Sequence, residues 1–179
     1  MAGSWPMRFA AVLAVAGAAA CLVSGAGAAT QDPAASLGAL ERGVYADINA
    51  LRVSHDLPPL RLSASLTNAA RAHSQEMETD GYFEHSSDDG TLFWKRIQRF
   101  YPSANYGFWS VGENLLWSAP DIDAQHALTM WLNSPEHRKN MLDPHWREIG
   151  VSAVHEAHAP GVFKGLDVTI VTTDFGVRH

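Results

Sequence analysis

The hydrophobic spacing of this chain changes period once, and that change fixes the order of its elements. From Leu37 onward, Leu40, Val44, Ile48 and Leu51 recur at steps of three and four, which predicts an amphipathic helix over 36–54. Leu57-Pro58-Pro59-Leu60 breaks it. Leu66, Ala69, Ala70, His73 and Met77 then share one face of a helix over 64–80, with Gly81 as its stop. Towards the C-terminus the period falls to two. Ile149, Val151 and Ala153 alternate with Gly150, Ser152 and Val154, and Val168, Ile170 and Thr172 alternate with Thr169, Val171 and Thr173. These are two strands, joined through Ala159-Pro160-Gly161 in a hairpin-like connection. Helices first and strands last imply an α+β fold rather than repeated βαβ units.

The middle of the chain is less regular. A short helix over 91–100, with Leu92, Phe93 and Ile97 inward, is ended by Tyr101-Pro102. The stretch from Ser103 to Ser118 is aromatic and punctuated by glycine, and 109–117 reads as irregular strand or loop. Asp121 or Asp123 caps a helix running through Ala127, Leu128, Met130, Trp131 and Leu132. Ser134-Pro135-Glu136 opens another helical turn, which Asp143-Pro144 closes near Leu142.

Residues 1–28 have the layout of a secretory signal peptide. Arg8 gives a basic start, residues 9–23 are apolar, and small residues around Ala26-Gly27-Ala28 offer a cleavage site. The apolar run is short and alanine-rich for a membrane span, so the mature chain is expected to have none. A flexible lead, 29–36, would follow, and then one domain over 37–179, large enough to bury a core. The location implied is secreted or periplasmic. The single cysteine, Cys21, lies in the signal segment, and Ala18-Ala19-Ala20 lacks the bulky residue of a lipid-attachment site. The mature chain thus has no thiol, which excludes disulfides and cysteine catalysis. Losing Arg8 moves the net charge from −6 to −7, and no basic stripe exists. Nucleic acid is therefore not an expected partner.

Three segments concentrate the chemistry: Tyr82-Phe83-Glu84-His85, Gly112-Glu113-Asn114 and Ser134-Pro135-Glu136-His137-Arg138. Two imidazoles and a carboxylate suit either a divalent-metal site or an acid–base centre. Glu113 stands out because Val111, Leu115 and Leu116 flank it, and a carboxylate in an apolar run needs a partner to be buried. A structural role for it, accepting backbone hydrogen bonds, weighs equally. His137 falls in the first turn of its helix, where the dipole favours the neutral imidazole. His73, on an apolar stripe, reads as a hydrogen-bonded structural histidine. Asp174-Phe175-Gly176 lacks the other parts of a kinase site and reads as a strand ending in a turn. His155-Glu156-Ala157-His158 is one residue short of the zincin spacing and reads as a surface loop.

In this order, the segments resemble the CAP superfamily (SCP-like; cysteine-rich secretory, antigen five and pathogenesis-related proteins), in its bacterial secreted subgroup. The resemblance also rests on Asn49 to Arg52, Pro59-Leu60, Phe83-Glu84-His85, Trp131 to Arg138, Asn140-Met141-Leu142, Glu148-Ile149-Gly150-Val151 and Asp174-Phe175-Gly176, covering about 37–177. It implies an α-β-α sandwich with a small antiparallel sheet between helical layers. It also implies a cleft of two histidines and two acids that in some members binds a divalent metal. His85, Glu113 and His137 match three of the four. Ser134 stands where the second glutamate is expected, with Glu136 nearby and Asn114 beside Glu113. A zinc or calcium ion would then have three protein ligands.

Three functions follow from the resemblance. The first is a secreted, non-catalytic binding module for a lipid, a sterol-like molecule or a cell-envelope component. The second is a structural polar cluster with no ligand. The third is a metal-dependent hydrolase using the same cleft, against which the missing second acid speaks.

Overall fold

A computed structural model of the chain describes residues 37–179. The signal segment, Cys21 and the lead over 29–36 lie outside the described residues. The first helix, α1 (Ala39–Ser54), buries Val44 and Ile48, and with them Arg52. Arg52 is not a surface charge because the chain break needs it. Its guanidinium donates to the carbonyls of Pro58 (3.1 Å), Met141 (2.8 Å) and Asp143 (3.0 Å). Asn49 grips Leu60 from both sides, donating to its carbonyl at 3.1 Å and accepting from its N–H at 2.7 Å. So pinned, the chain enters a two-residue strand, β1 (Arg61–Leu62).

Helix α2 (Ala64–Asp80) begins where the Ser63 hydroxyl accepts from the N–H of Leu66 and ends at Gly81. Gly81 has φ 72°, and a Cβ there would lie 2.7 Å from the carbonyl carbon of Pro160, so both conformation and contact demand glycine. Helix α3 (Phe93–Phe100) differs from expectation in its inward face. Leu92 precedes the helix and is exposed, whereas Arg96 is buried beside Ile97. The segment read as irregular is a regular ten-residue strand, β2 (Trp109–Ser118). Its polar centre, Glu113 and Asn114, is buried, and this hides the alternation that would have declared it. Asp123 caps α4 (Ala124–Leu132), accepting from the N–H of His126 at 2.8 Å. Helix α5 (Pro135–Met141), β3 (Glu148–Glu156) and β4 (Val168–Arg178) complete the set, with a 3-10 turn over Gly161–Phe163.

The four strands form one sheet in the order β1-β3-β4-β2. β2, β4 and β3 are antiparallel, but β1 lies parallel to β3 over Arg61↔Glu148 and Leu62↔Ile149, so the sheet is mixed rather than wholly antiparallel. Asp174-Phe175-Gly176 does not end β4 in a turn. It lies inside the strand, which runs on to Arg178. One face of the sheet packs Val151, Val171, Phe175 and Val177 against Val44 and Ile48 of α1, Trp131 of α4 and Met141 of α5. On the other face Leu66 and Ala69 of α2 cluster with Ile97 of α3 and with Tyr101, and Met77 joins Leu115, Val168 and Ile170. This is an α-β-α sandwich. Because β4 is covered on both faces, its residues 168–177 are all buried, including Thr169, Thr172, Thr173 and Asp174. At Gly150 the sheet comes close to α2: a Cβ on it would lie 2.1 Å from the backbone of Leu66. No helix among the described residues is long and apolar enough to cross a membrane.

Candidate ligand-binding cleft

Glu113 sits at the middle of β2, and its side chain is 1% exposed. Isolated there, a carboxylate would be strongly disfavoured. Its two oxygens are both engaged: Oε1 accepts from His85 Nδ1 at 2.9 Å, and Oε2 accepts from the buried guanidinium of Arg96. The same guanidinium donates to the backbone carbonyl of His85 at 2.9 Å. Arg96 therefore fixes the acid and the main chain of the histidine together. A second anchor comes from His73, fully buried on α2, whose Nε2–H donates to the carbonyl of Glu84 at 2.9 Å. Burial holds the His73 imidazole below its ordinary pKa, so it is a neutral strut for the turn carrying His85.

From the other side, α5 is tied to β2 by amides. Asn114 donates to the His137 carbonyl at 3.1 Å, and Asn140 donates to Asn114 Oδ1 at 2.9 Å and to the Glu113 carbonyl at 3.1 Å. The Gly-Glu-Asn and Asn-Met-Leu segments are thus two halves of one clasp. Burial lowers the pKa of His137, and the charge of His85 lowers it further, so its imidazole is neutral at pH 7.

Between these elements opens a cleft of about 410 Å³. His85, Glu113 and His137 all line it, with Asn114, Glu136 and Phe93. Lys139, Asn140 and Asp143 extend the lining along α5 and just beyond it. Ser134 is placed apart: it occupies the cap position of α5, makes no capping hydrogen bond with its side chain, and does not line the cleft. Glu136, two residues on, does.

Two residues of the site escape sequence reasoning. Arg96 could have been found, since it falls beside Ile97 on the inward side of α3, where a charge needs an explanation. Asp174 is paired in register with Glu113 across β2 and β4, is 0% exposed, and neither of its oxygens meets a hydrogen-bond donor. Burial pushes its pKa far above the ordinary carboxylate range, and the neighbouring Glu113 charge adds to this against the pull of Arg96. Asp174 therefore holds its proton more firmly than an ordinary aspartate does. Nothing in the strand pattern distinguishes it from an outward-facing aspartate.

The donor set does not fit a three-ligand metal site. Among the described residues no three His, Asp or Glu side chains are gathered to hold one ion. To ligate a cation Glu113 would offer Oε1, in competition with the His85 N–H that it now accepts, while Oε2 stays on Arg96.

The sequence and the fold have known counterparts. Residues 45–172, well over half of the chain, match the Cysteine-rich secretory protein family, CAP. The chain belongs to the CAP family. This CAP domain is 31% identical over 125 residues to the uncharacterized protein YkwD of Bacillus subtilis (strain 168), an alignment covering 70% of this chain and 46% of that protein. Among solved structures it is similar to an extracellular protein containing a SCP domain from Bacillus anthracis, with 29% identity and a TM-score of 0.57, covering 75% of this chain and 39% of that one. An outer surface protein of Borrelia burgdorferi shares the fold, with a TM-score of 0.59 at 22% identity, covering 76% of this chain and 90% of that one. The CAP domain spans less than half the length of YkwD and of the Bacillus anthracis protein.

Proposed function

We propose that this CAP domain is an exported, non-catalytic binding module whose cleft takes a polar extracellular ligand, of the kind offered by a cell-envelope glycan. The observation that carries this reading is the state of Glu113. Both its oxygens are engaged, Oε1 by the exposed His85 and Oε2 by the buried Arg96, so ligating a metal or taking a proton means competing with a bond already made. Among the described residues no serine or threonine lines the cleft, so a hydroxyl nucleophile is also absent from that lining. What the cleft does offer is a row of hydrogen-bonding groups: His85, Asn114, Glu136, His137, Lys139 and Asn140. Phe93 is the one large apolar side chain among them, which suits stacking against a sugar ring more than enclosing an acyl chain or a sterol. Export is supported by the signal-like layout of residues 1–28 and by the extracellular and outer-surface descriptions of the similar structures.

Calorimetric titration of the purified protein with soluble envelope glycan fragments, and in parallel with a fatty acid, tests the reading. Glycan fragments are expected to bind and the fatty acid not to bind in this cleft. The His85→Ala variant is expected to lose glycan affinity while costing about 1 kcal/mol or less of stability, since the exposed imidazole is the weaker of the two Glu113 partners. Fatty-acid binding that His85→Ala abolishes would replace the polar ligand by a lipid.

A hydrolase reading has one observation in its favour. With Nδ1–H donated to Glu113, His85 presents its other nitrogen as a base, and its side chain is 53% exposed. Release of product from an ester or glycan substrate, lost on His85→Gln, would establish it.

A further inference from the structure

A second cavity, of about 520 Å³, lies away from the cleft, where β1, the start of β3 and the end of β4 meet. Arg61, Arg147 and Arg178 line it, with His145, His179 and a single carboxylate side chain, Glu148. In a chain of net charge −6, this is a local reversal of sign.

Two of the three guanidiniums are set in place by the protein. Arg147 Nη1 donates to the carbonyls of Pro144 (2.7 Å), His145 (3.1 Å) and Trp146 (2.8 Å). Arg178 Nη1 donates to the Pro102 carbonyl at 3.1 Å, and its guanidinium carbon lies 3.8 Å from the ring centre of the buried Tyr101 and 4.8 Å from that of Tyr106. The one carboxylate side chain is already taken: Glu148 accepts from the Tyr101 hydroxyl and pairs with Arg61 at 3.5 Å. Neither Arg147 nor Arg178 pairs with a carboxylate among the described residues. Both are held through Nη1, which leaves the Nη2 and Nε edge of each guanidinium for a ligand. A planar fork of this kind matches the oxygens of a phosphate.

We propose that this cavity binds a phosphomonoester, with its oxygens on the free edges of Arg147 and Arg178, Arg61 at the rim, and the ester's organic part against Phe108. Charge selects the class. Two unpaired guanidiniums balance a group carrying about −1.5 to −2 at pH 7, which a phosphomonoester does and a single carboxylate does not. The cavity also exceeds a bare phosphate and lies in the range of about 300–1,000 Å³ typical of small-molecule sites. The ester could be free in solution or displayed on a lipid headgroup, and the two sources share this chemistry.

Titration of the purified protein with glycerol 3-phosphate, followed by backbone amide NMR, tests the site. Saturable shifts are expected at residues 61, 145–148 and 177–179, weakening with added salt. Arg178→Gln is expected to weaken binding about tenfold, the loss of one charge-assisted hydrogen-bonded contact. Glu148→Gln, which removes the competing carboxylate and keeps an acceptor for Tyr101, is expected to tighten it. These opposite signs keep the test decisive if Arg147→Gln, whose side chain also holds its own loop, fails to fold. Co-sedimentation with phosphatidic acid vesicles, blocked by glycerol 3-phosphate, would assign the group to a membrane headgroup; binding of the soluble ester alone would assign it to a free ligand. The proposal is overturned if neither source binds, or if the shifts persist unchanged in Arg178→Gln.

Discussion

At the scale of single residues, Glu113 and Asp174 show how differently two buried carboxyl groups can be accommodated. Glu113 is paired with the buried guanidinium of Arg96. Asp174, opposite it in the ladder, has no such partner among the described residues, and burial raises its pKa. Glu113→Gln therefore leaves Arg96 as an uncompensated buried cation, and is expected to cost about 3 kcal/mol in urea unfolding, the loss typical of removing one partner of a buried pair. Arg96→Leu should cost a similar amount. Asp174 acts in the opposite sense and gives a signed pH dependence. Its folded pKa is raised, so below the ordinary carboxylate pKa both folded and unfolded chains hold the proton and the group contributes nothing. Above that value the unfolded chain ionises first, and stability falls as pH rises towards the folded pKa. Asp174→Asn, which keeps the shape without the ionisation, is expected to be more stable than the wild-type protein at pH 7 and equal to it near pH 4. Thermal unfolding across that range measures the convergence.

At the scale of elements, α2 and β2 mark the limits of sequence reading. The bounds of α2 are legible because one apolar stripe, a serine cap and a left-handed glycine all agree. β2 is equally regular, but its centre carries the buried polar residues of the site, so functional demands erase the pattern that local physics would write. β4 errs in the other direction. Its alternation reveals a strand, yet the threonines and aspartate that look solvent-facing are covered by a second helical layer, which no period-2 pattern announces. The approach of α2 to β3 makes a prediction at this scale. Gly150→Ala would drive a methyl group into the backbone of Leu66 and Thr67, with gaps of 2.1 and 2.2 Å. Neither backbone can yield without moving α2, so the variant is expected to lose about 3 kcal/mol or more, read as a lowered urea midpoint.

At the scale of the whole molecule, all three layers of the sandwich contribute to the cleft. Helix α3 delivers Arg96 from one layer and α5 delivers His137 from the other, while the sheet between them supplies Glu113. His85, Glu113 and His137 were legible as a trio because each is an expensive or unusual residue in its local setting, and the structure brings all three to one lining. Arg96, which pairs with Glu113, and Asp174, opposite it in the ladder, were not legible, because their meaning lies in contacts across layers. On the binding-module reading proposed above, those contacts make the cleft a preorganised polar surface. NMR titration of the purified protein with soluble envelope glycan fragments tests this most directly. Saturable perturbation of His85, Asn114 and Lys139 is expected, with the fragments recovered unchanged. Absence of any cleft perturbation, or the growth of product resonances, would contradict the account.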